Sequence, residues 1–215
     1  MLVEYIYTSE NSISKNLCDN IIKYYGNNMN IRYDGLTIAG KDKSVKNTSD
    51  LLLVLDAKGY GYDIIETINN VIYTHLNKYV ALHPEYNQYH ELILNNGMLI
   101  QRYKKKEGKY VYHTDMSYDI DDSILNETSS LNLCNKSLNK LNSMHPILTR
   151  VLTFIIYLND IDEGGETEFF TDCRVKPKAG TILLFPALWY YNHSGLMPLT
   201  QDKYILTGWL YTSSK

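Results

Sequence analysis

Cysteines are too few and too scattered in this 215-residue chain to staple a fold: Cys18, Cys134 and Cys173 are odd in number and far apart. A disulfide framework is thereby excluded, a reducing compartment becomes the default, and the lack of any CxxC pair removes a thiolate zinc site. No run approaches the roughly 18 apolar residues of a membrane-spanning helix. Residues 1–10 include Glu4 and have no basic segment ahead of an apolar one, so a non-secreted protein is expected. Basic residues number 21 against 24 acidic ones, a net charge of −3 that leaves no broad positive field for nucleic acid or anionic lipid. The one basic run, Lys104-Lys105-Lys106, reads as a solvated turn. No repeat and no Pro-, Gly- or Ser-rich linker divides the chain. Only 4 phenylalanines stand beside 20 tyrosines, with many Asn, Ile and Lys. That bias follows AT-rich codons, as in viral and protist genomes, and carries no chemistry.

What is present falls into two textures. The first half reads mainly helical. Ile13, Leu17, Ile21, Ile22 and Tyr25 recur at helical spacing, with Ser12 or Ser14 as N-cap and Gly26 as a stop. Ile64, Ile65, Ile68, Val71, Ile72, Leu76 and Tyr79 form a second amphipathic helix, and Pro84 opens a third, short one. Residues 51–55 read as a buried strand. From Met98 onward short segments rich in β-branched and aromatic residues alternate with Gly, Pro and Asp signals. The predicted strands are 98–104, 110–115, 150–159, 167–170, 173–176, 181–185, 189–193 and 203–212. Such spacing predicts an α+β fold: a jelly-roll or cupin-like barrel, the double-stranded β-helix, with N-terminal bracing helices. Residues 1–97 then form a helical support region within the same domain. Residues 98–215 form the double-stranded β-helix core, with a polar surface insertion at 116–149.

His113 and Asp115 are two residues apart at a strand end, so both side chains project from one face. With 6 His and 14 Asp in the chain, one such pair is close to what chance supplies, and a hydrogen-bonded surface pair is the bland reading. His193, at another strand end 78 residues after Asp115, would complete a set of two imidazoles and one carboxylate. That set suits an octahedral Fe(II) with three positions open. Lys203 follows ten residues later and shares a strand face with Ile205, Thr207 and Trp209. An inward lysine needs an anionic partner, which the distal carboxylate of 2-oxoglutarate would be. The bland alternative is a snorkelling surface lysine. His75, His83, His90 and His145 read as structural.

Longer segments point the same way. In order they are Gln101-Arg102-Tyr103, His113-Thr114-Asp115, Thr153-Phe154-Ile155-Ile156-Tyr157-Leu158-Asn159, Gly164-Gly165-Glu166-Thr167, Gly180-Thr181-Ile182-Leu183-Leu184-Phe185-Pro186, and His193 with Lys203 and Trp209. From Met98 to Tyr211 the chain resembles the prolyl 4-hydroxylase branch of the 2-oxoglutarate/Fe(II) dioxygenases. The resemblance implies Fe(II) on His113, Asp115 and His193, and 2-oxoglutarate held by Lys203 with Tyr103, Tyr157 and Thr207 around it. It implies Tyr110 and Trp209 on the substrate side, O2 as co-substrate and ascorbate as an accessory. The implied reaction hydroxylates a prolyl residue of a protein or peptide while 2-oxoglutarate becomes succinate. The same chemistry on another side chain or a small molecule, and a silent binding jelly-roll, are the alternatives. Each aromatic could equally be barrel core, and the Gly-Gly pair a plain tight turn. Gln201 departs from the family's usual glycine, and the 116–149 insertion is longer than in compact members, so the substrate does not transfer with the motifs.

Overall fold

The computed structural model describes residues 2–37, 39–54, 60–88, 93–94, 97–120, 147–170 and 172–213. Most of the polar insertion, together with Cys134, His90 and His145, lies outside them. Two α-helices lie among the described residues. Helix α1 (Lys15–Asn27) starts where the Ser14 hydroxyl accepts from the Leu17 amide and buries Cys18, Ile21 and Tyr25. It runs through Gly26 instead of stopping there, because nothing crowds that position and Asn28 closes the last turn. Helix α2 (Tyr60–Leu82) carries the second apolar stripe, and Pro84–Gln88 forms a single 3-10 segment. No helix among the described residues is long and apolar enough to cross a membrane.

Among the described residues fourteen strands run in chain order: β1 (Tyr7–Ser9), β2 (Tyr33–Asp34), β3 (Lys46–Asn47), β4 (Ser49–Val54), β5 (Ile93–Leu94), β6 (Gly97–Tyr103) and β7 (Lys109–His113). Then come β8 (Tyr118–Ile120), β9 (Ile147–Tyr157), β10 (Thr167–Phe169), β11 (Arg174–Val175), β12 (Ile182–Pro186), β13 (His193–Gly195) and β14 (Lys203–Ser213). They form a nine-stranded sheet along β1-β12-β9-β14-β6-β4-β2, with β5 and β8 attached, and a five-stranded sheet in the order β11-β10-β13-β7-β3. Every pairing is antiparallel. The double-stranded β-helix with bracing helices is the observed architecture.

Two expectations change. The aromatic run 189–193 is not a strand: Trp189–Tyr191 is a 3-10 turn, and ladder pairing begins only at His193. The first half is also less helical than its periodicity suggests, since it donates β1, β2 and β4 to the large sheet and β3 to the small one.

The central strands β9, β12 and β14 of the large sheet are buried on both faces, which is why they read as nearly unbroken apolar runs. Phe154, Ile156, Ile182, Leu184 and Leu206 pack with Ile21, Ile64, Ile68 and Tyr79 of the helices. Their sequence neighbours Ile155, Leu183, Phe185 and Ile205 join Phe169 and Tyr191 in the space between the sheets. Gly180 fixes how the N-terminus docks. Its carbonyl accepts from the Ser12 and Ile13 amides, its φ is +80°, and an added Cβ would lie 2.4 Å from the Ile13 carbonyl oxygen. Gly180→Ala is therefore expected to destabilise the fold by roughly 1–3 kcal/mol or more. A melting curve should show it as a loss of about 2–4 °C per kcal/mol. An unchanged midpoint would contradict this account.

Candidate metal centre

The strand ladder brings the sequence-distant ligands together. Across β13 and β7, His193 pairs with His113, and a bulge lies just beyond that pair. Asp115 follows two residues after His113, and the ligand atoms of all three residues lie within 4.8 Å of one another. His113 Nδ1 is 2.8 Å from the Val111 carbonyl and His193 Nδ1 is 3.0 Å from the Tyr191 carbonyl. A carbonyl only accepts, so each Nδ1 carries the proton and each Nε2 presents a lone pair. Those Nε2 atoms face the two oxygens of Asp115, each at 3.7 Å. That is too long for a hydrogen bond and sets lone pairs against lone pairs, an arrangement that a shared cation resolves. The donor set thus fits Fe(II).

The surroundings lock the three side chains. Thr153 donates to Asp115 Oδ2 at 2.8 Å. The Trp209 indole N–H faces the same carboxylate but makes no well-aligned hydrogen bond. Burial opposes ionisation of Asp115, whereas positive charge on the His193 or His113 ring, with the Thr153 hydroxyl, would hold its carboxyl below the usual range. Burial and the neighbouring His193 push His113 down to about 4, keeping its imidazole neutral. The Tyr110 ring stacks on His113 at 3.5 Å, and Phe185 meets His193 edge-on at 4.7 Å.

A cavity of about 310 Å³ extends from this cluster. Lys203, Ile205, Thr207 and Trp209 all line it, as their shared strand face predicted, along with Tyr103 and Tyr110. Tyr157 does not line it; it is fully buried and donates at 2.7 Å to Thr167, which does. The Thr207 hydroxyl is engaged by the Phe154 carbonyl at 2.8 Å. Arg150, stacked 3.7 Å over the Trp209 ring, also lines the cavity, as do Lys46 and Gln101. Sequence reasoning gave none of these three a site role. Arg150 and Gln101 sit in or beside the matching segments, whereas Lys46 has no local signal.

Lys203 is 1% exposed, and its Nζ lies 2.9 Å from the Gly165 carbonyl and 3.9 Å from the Tyr103 ring centroid. It forms no ion pair among the described residues. Gly164 and Gly165 have φ of +70° and +77°, and this turn ladders against residues 196–199 through Gly165 N to Met197 O and Leu199 N to Glu163 O. The Gly-Gly turn is architectural, and it also delivers the one carbonyl that meets Lys203. Burial pushes this lysine down to about 7 against the pull of Glu166. Its folded value lies below the ordinary 10.5, so the ligand-free fold carries the full penalty below about pH 7 and sheds it as pH rises from there toward 10.5. A carboxylate pairs only with the ammonium form. If Lys203 anchors the distal carboxylate of 2-oxoglutarate, affinity for that co-substrate should fall about tenfold per pH unit above roughly 7. Anaerobic titration across that range checks this, and a flat profile would remove Lys203 as the anchor.

Comparison with known proteins places this geometry. The family model for the 2OG-Fe(II) oxygenase superfamily matches residues 98–211. Among solved structures, a viral collagen prolyl hydroxylase from Paramecium Bursaria Chlorella virus-1, in complex with 2OG, is similar with a TM-score of 0.63 and 20% identity, covering 97% of this chain and 96% of that one. A prolyl-4-hydroxylase from Pseudomonas putida gives 0.62 and 12% over 96% and 92%. A Trichoplax adhaerens prolyl hydroxylase, solved with a hypoxia inducible factor peptide fragment, gives 0.63 and 12% over 97% and 84%. At these identities the likeness speaks for the fold. A comparison with curated proteins found no match. The match over more than half of its length shows that the chain belongs to the 2OG-Fe(II) oxygenase superfamily.

Proposed function

We propose that this 2-oxoglutarate-dependent dioxygenase hydroxylates a prolyl residue in a protein or peptide, with His113, Asp115 and His193 as the iron ligands and Lys203 as the anchor for 2-oxoglutarate. The observation that carries this is the convergence of three facing donor groups and one buried ammonium on a single cavity. Bound iron would supply the oxidative chemistry that couples decarboxylation of 2-oxoglutarate to succinate with insertion of an oxygen atom into a C–H bond. The chain itself binds and orients. The Val111 and Tyr191 carbonyls hold the imidazole rings, Thr153 holds the carboxylate, and the Gly165 carbonyl and Tyr103 ring hold the Lys203 ammonium where a distal carboxylate would dock. Tyr110 and Trp209 line the cavity beside the centre, and aromatic side chains suit a pyrrolidine ring in an extended chain. The prolyl hydroxylases among the structural neighbours, one of them solved with a peptide, support that substrate class.

Purified protein supplied with Fe(II), 2-oxoglutarate and ascorbate should add one oxygen atom to proline-containing peptides, read by mass, with matching succinate release. Omitting ascorbate should shorten the productive phase. Succinate release without any oxidised prolyl peptide across a broad panel would redirect the substrate to another side chain or a small molecule.

A further inference from the structure

We propose that the buried Lys46–Asp50 pair is a positioning device for the 2-oxoglutarate pocket, acting on Lys203 through Gln101 and Tyr103. The inference rests on Lys203 being the co-substrate anchor. Strand register places the four links side by side. Asp50 of β4 lies opposite Gln101 of β6, and Tyr103 of the same strand lies opposite Lys203 of β14. Gln101 and Tyr103 are two residues apart and share a face. A continuous line therefore crosses three adjacent strands and ends at the anchor.

The contacts follow that line. Lys46 and Asp50 are 5% and 1% exposed, and their Nζ and Oδ2 are 2.8 Å apart. Asp50 Oδ2 also accepts from Gln101 Nε2 at 3.2 Å. A carboxylate can only accept, so Asp50 dictates which way the Gln101 amide points. Its Oε1 is thereby turned toward Tyr103, whose hydroxyl donates to it at 3.4 Å. Steered by that long hydrogen bond, the Tyr103 ring presents its face to Lys203 Nζ at 3.9 Å. Donation of the hydroxyl proton toward an amide oriented by an anion also enriches the ring, which favours the ammonium above it. Lys46 further contacts the Leu36 carbonyl at 3.4 Å and lies 5.2 Å from the Tyr110 ring centroid.

A purely structural role explains this less well. A buried ion pair is no better for stability than well-packed apolar side chains of the same size. Asp50 Oδ1 moreover makes no hydrogen bond among the described residues, so the pair is imperfectly satisfied. Yet Lys46, Gln101, Tyr103 and Lys203 all line the cavity, and Lys46 and Asp50 precede the segment that matches the family model. On this account the N-terminal strands set the electrostatics of the co-substrate pocket as well as bracing the sheet.

The test measures 2-oxoglutarate binding by anaerobic calorimetry on Mn(II)-loaded protein, with Mn(II) affinity and melting temperature recorded for each variant. Gln101→Met cuts the line while leaving the ion pair in place. It should raise the 2-oxoglutarate Kd about tenfold, the effect of one buried hydrogen bond. Tyr103→Phe should do the same, and the double variant should be no worse than the weaker-binding single, because both changes break one chain. In turnover the KM for 2-oxoglutarate should rise while kcat stays within about twofold and the peptide KM is unmoved. Lys46→Met combined with Asp50→Leu replaces the pair by apolar bulk and should reproduce the rise in Kd, which keeps the idea testable should Gln101→Met fold poorly. An unchanged Kd in the folded variants, or additive effects of Gln101→Met and Tyr103→Phe, would overturn the relay. Failure of the unaltered protein to bind 2-oxoglutarate would overturn the reading of the site itself.

Discussion

Asp115→Ala is expected to reduce iron-dependent turnover to background while leaving the protein folded. The carboxylate is the only anionic member of the donor set, and its two oxygens face the two Nε2 atoms at 3.7 Å. Without it the remaining imidazoles offer two ligands, too few to hold iron in the geometry that a facial set imposes. Loss of metal-assisted charge stabilisation worth several kcal/mol corresponds to a rate decrease on the order of 10³-fold or more. Iron affinity, read by titration, should fall in parallel. The change leaves the Thr153 hydroxyl without its acceptor, which costs about 1–3 kcal/mol, small enough for the fold to survive. Melting curves with and without Fe(II) separate the two effects. The unaltered protein should gain stability on metal addition and the variant should not. Full activity in Asp115→Ala would refute the ligand assignment.

Lys203→Ala should act on a different quantity. Its ammonium is buried with a carbonyl and an aromatic face, so a carboxylate arriving there would form a fully desolvated charge pair. Truncating one member of such a pair costs roughly 3–5 kcal/mol, or about 10²–10⁴ in affinity for 2-oxoglutarate. Iron binding should be retained, since Lys203 touches none of the three ligand side chains among its described contacts. The diagnostic result is therefore a sharply raised 2-oxoglutarate requirement at near-normal iron affinity. An unchanged requirement would move the carboxylate anchor to another cation lining the cavity, with Lys46 and Arg150 the candidates.

The difference between these two variants mirrors what could be read from residues alone. His113 and His193 lie at strand ends, Asp115 lies two residues past the end of β7, and Lys203 to Trp209 follow the alternation that fixes which side chains point inward. The strands after Met98 were legible because β-branched and aromatic runs break sharply at Gly and Pro. Trp189-Tyr190-Tyr191 misleads by the same logic. Three aromatics look like a strand, yet Trp189 and Tyr190 are exposed and stacked on each other in a 3-10 turn. The strands β1, β2 and β3 are two or three residues long, too short to show any period. Lys46 reaches the cavity only through long-range pairing: β3 binds β7 more than 60 residues later, a relation no local pattern encodes. Tyr157 illustrates the reverse. Its motif suggested direct contact with the oxo-acid, whereas Thr167 stands between it and the cavity.

The order of strands in the large sheet has a consequence for how the protein is made. The trio β1-β12-β9 and the trio β6-β4-β2 share no edge with each other; β14, the last strand in chain order, lies between them and pairs with β9 on one side and β6 on the other. A nascent chain can form each half-sheet on the ribosome, but the two stay separate until residues 203–213 emerge. Closure is therefore a late, long-range event of the kind that folds slowly and exposes sticky edges meanwhile. A premature stop between Pro186 and Lys203 should yield two unjoined half-sheets, a species destined for aggregation or proteolysis.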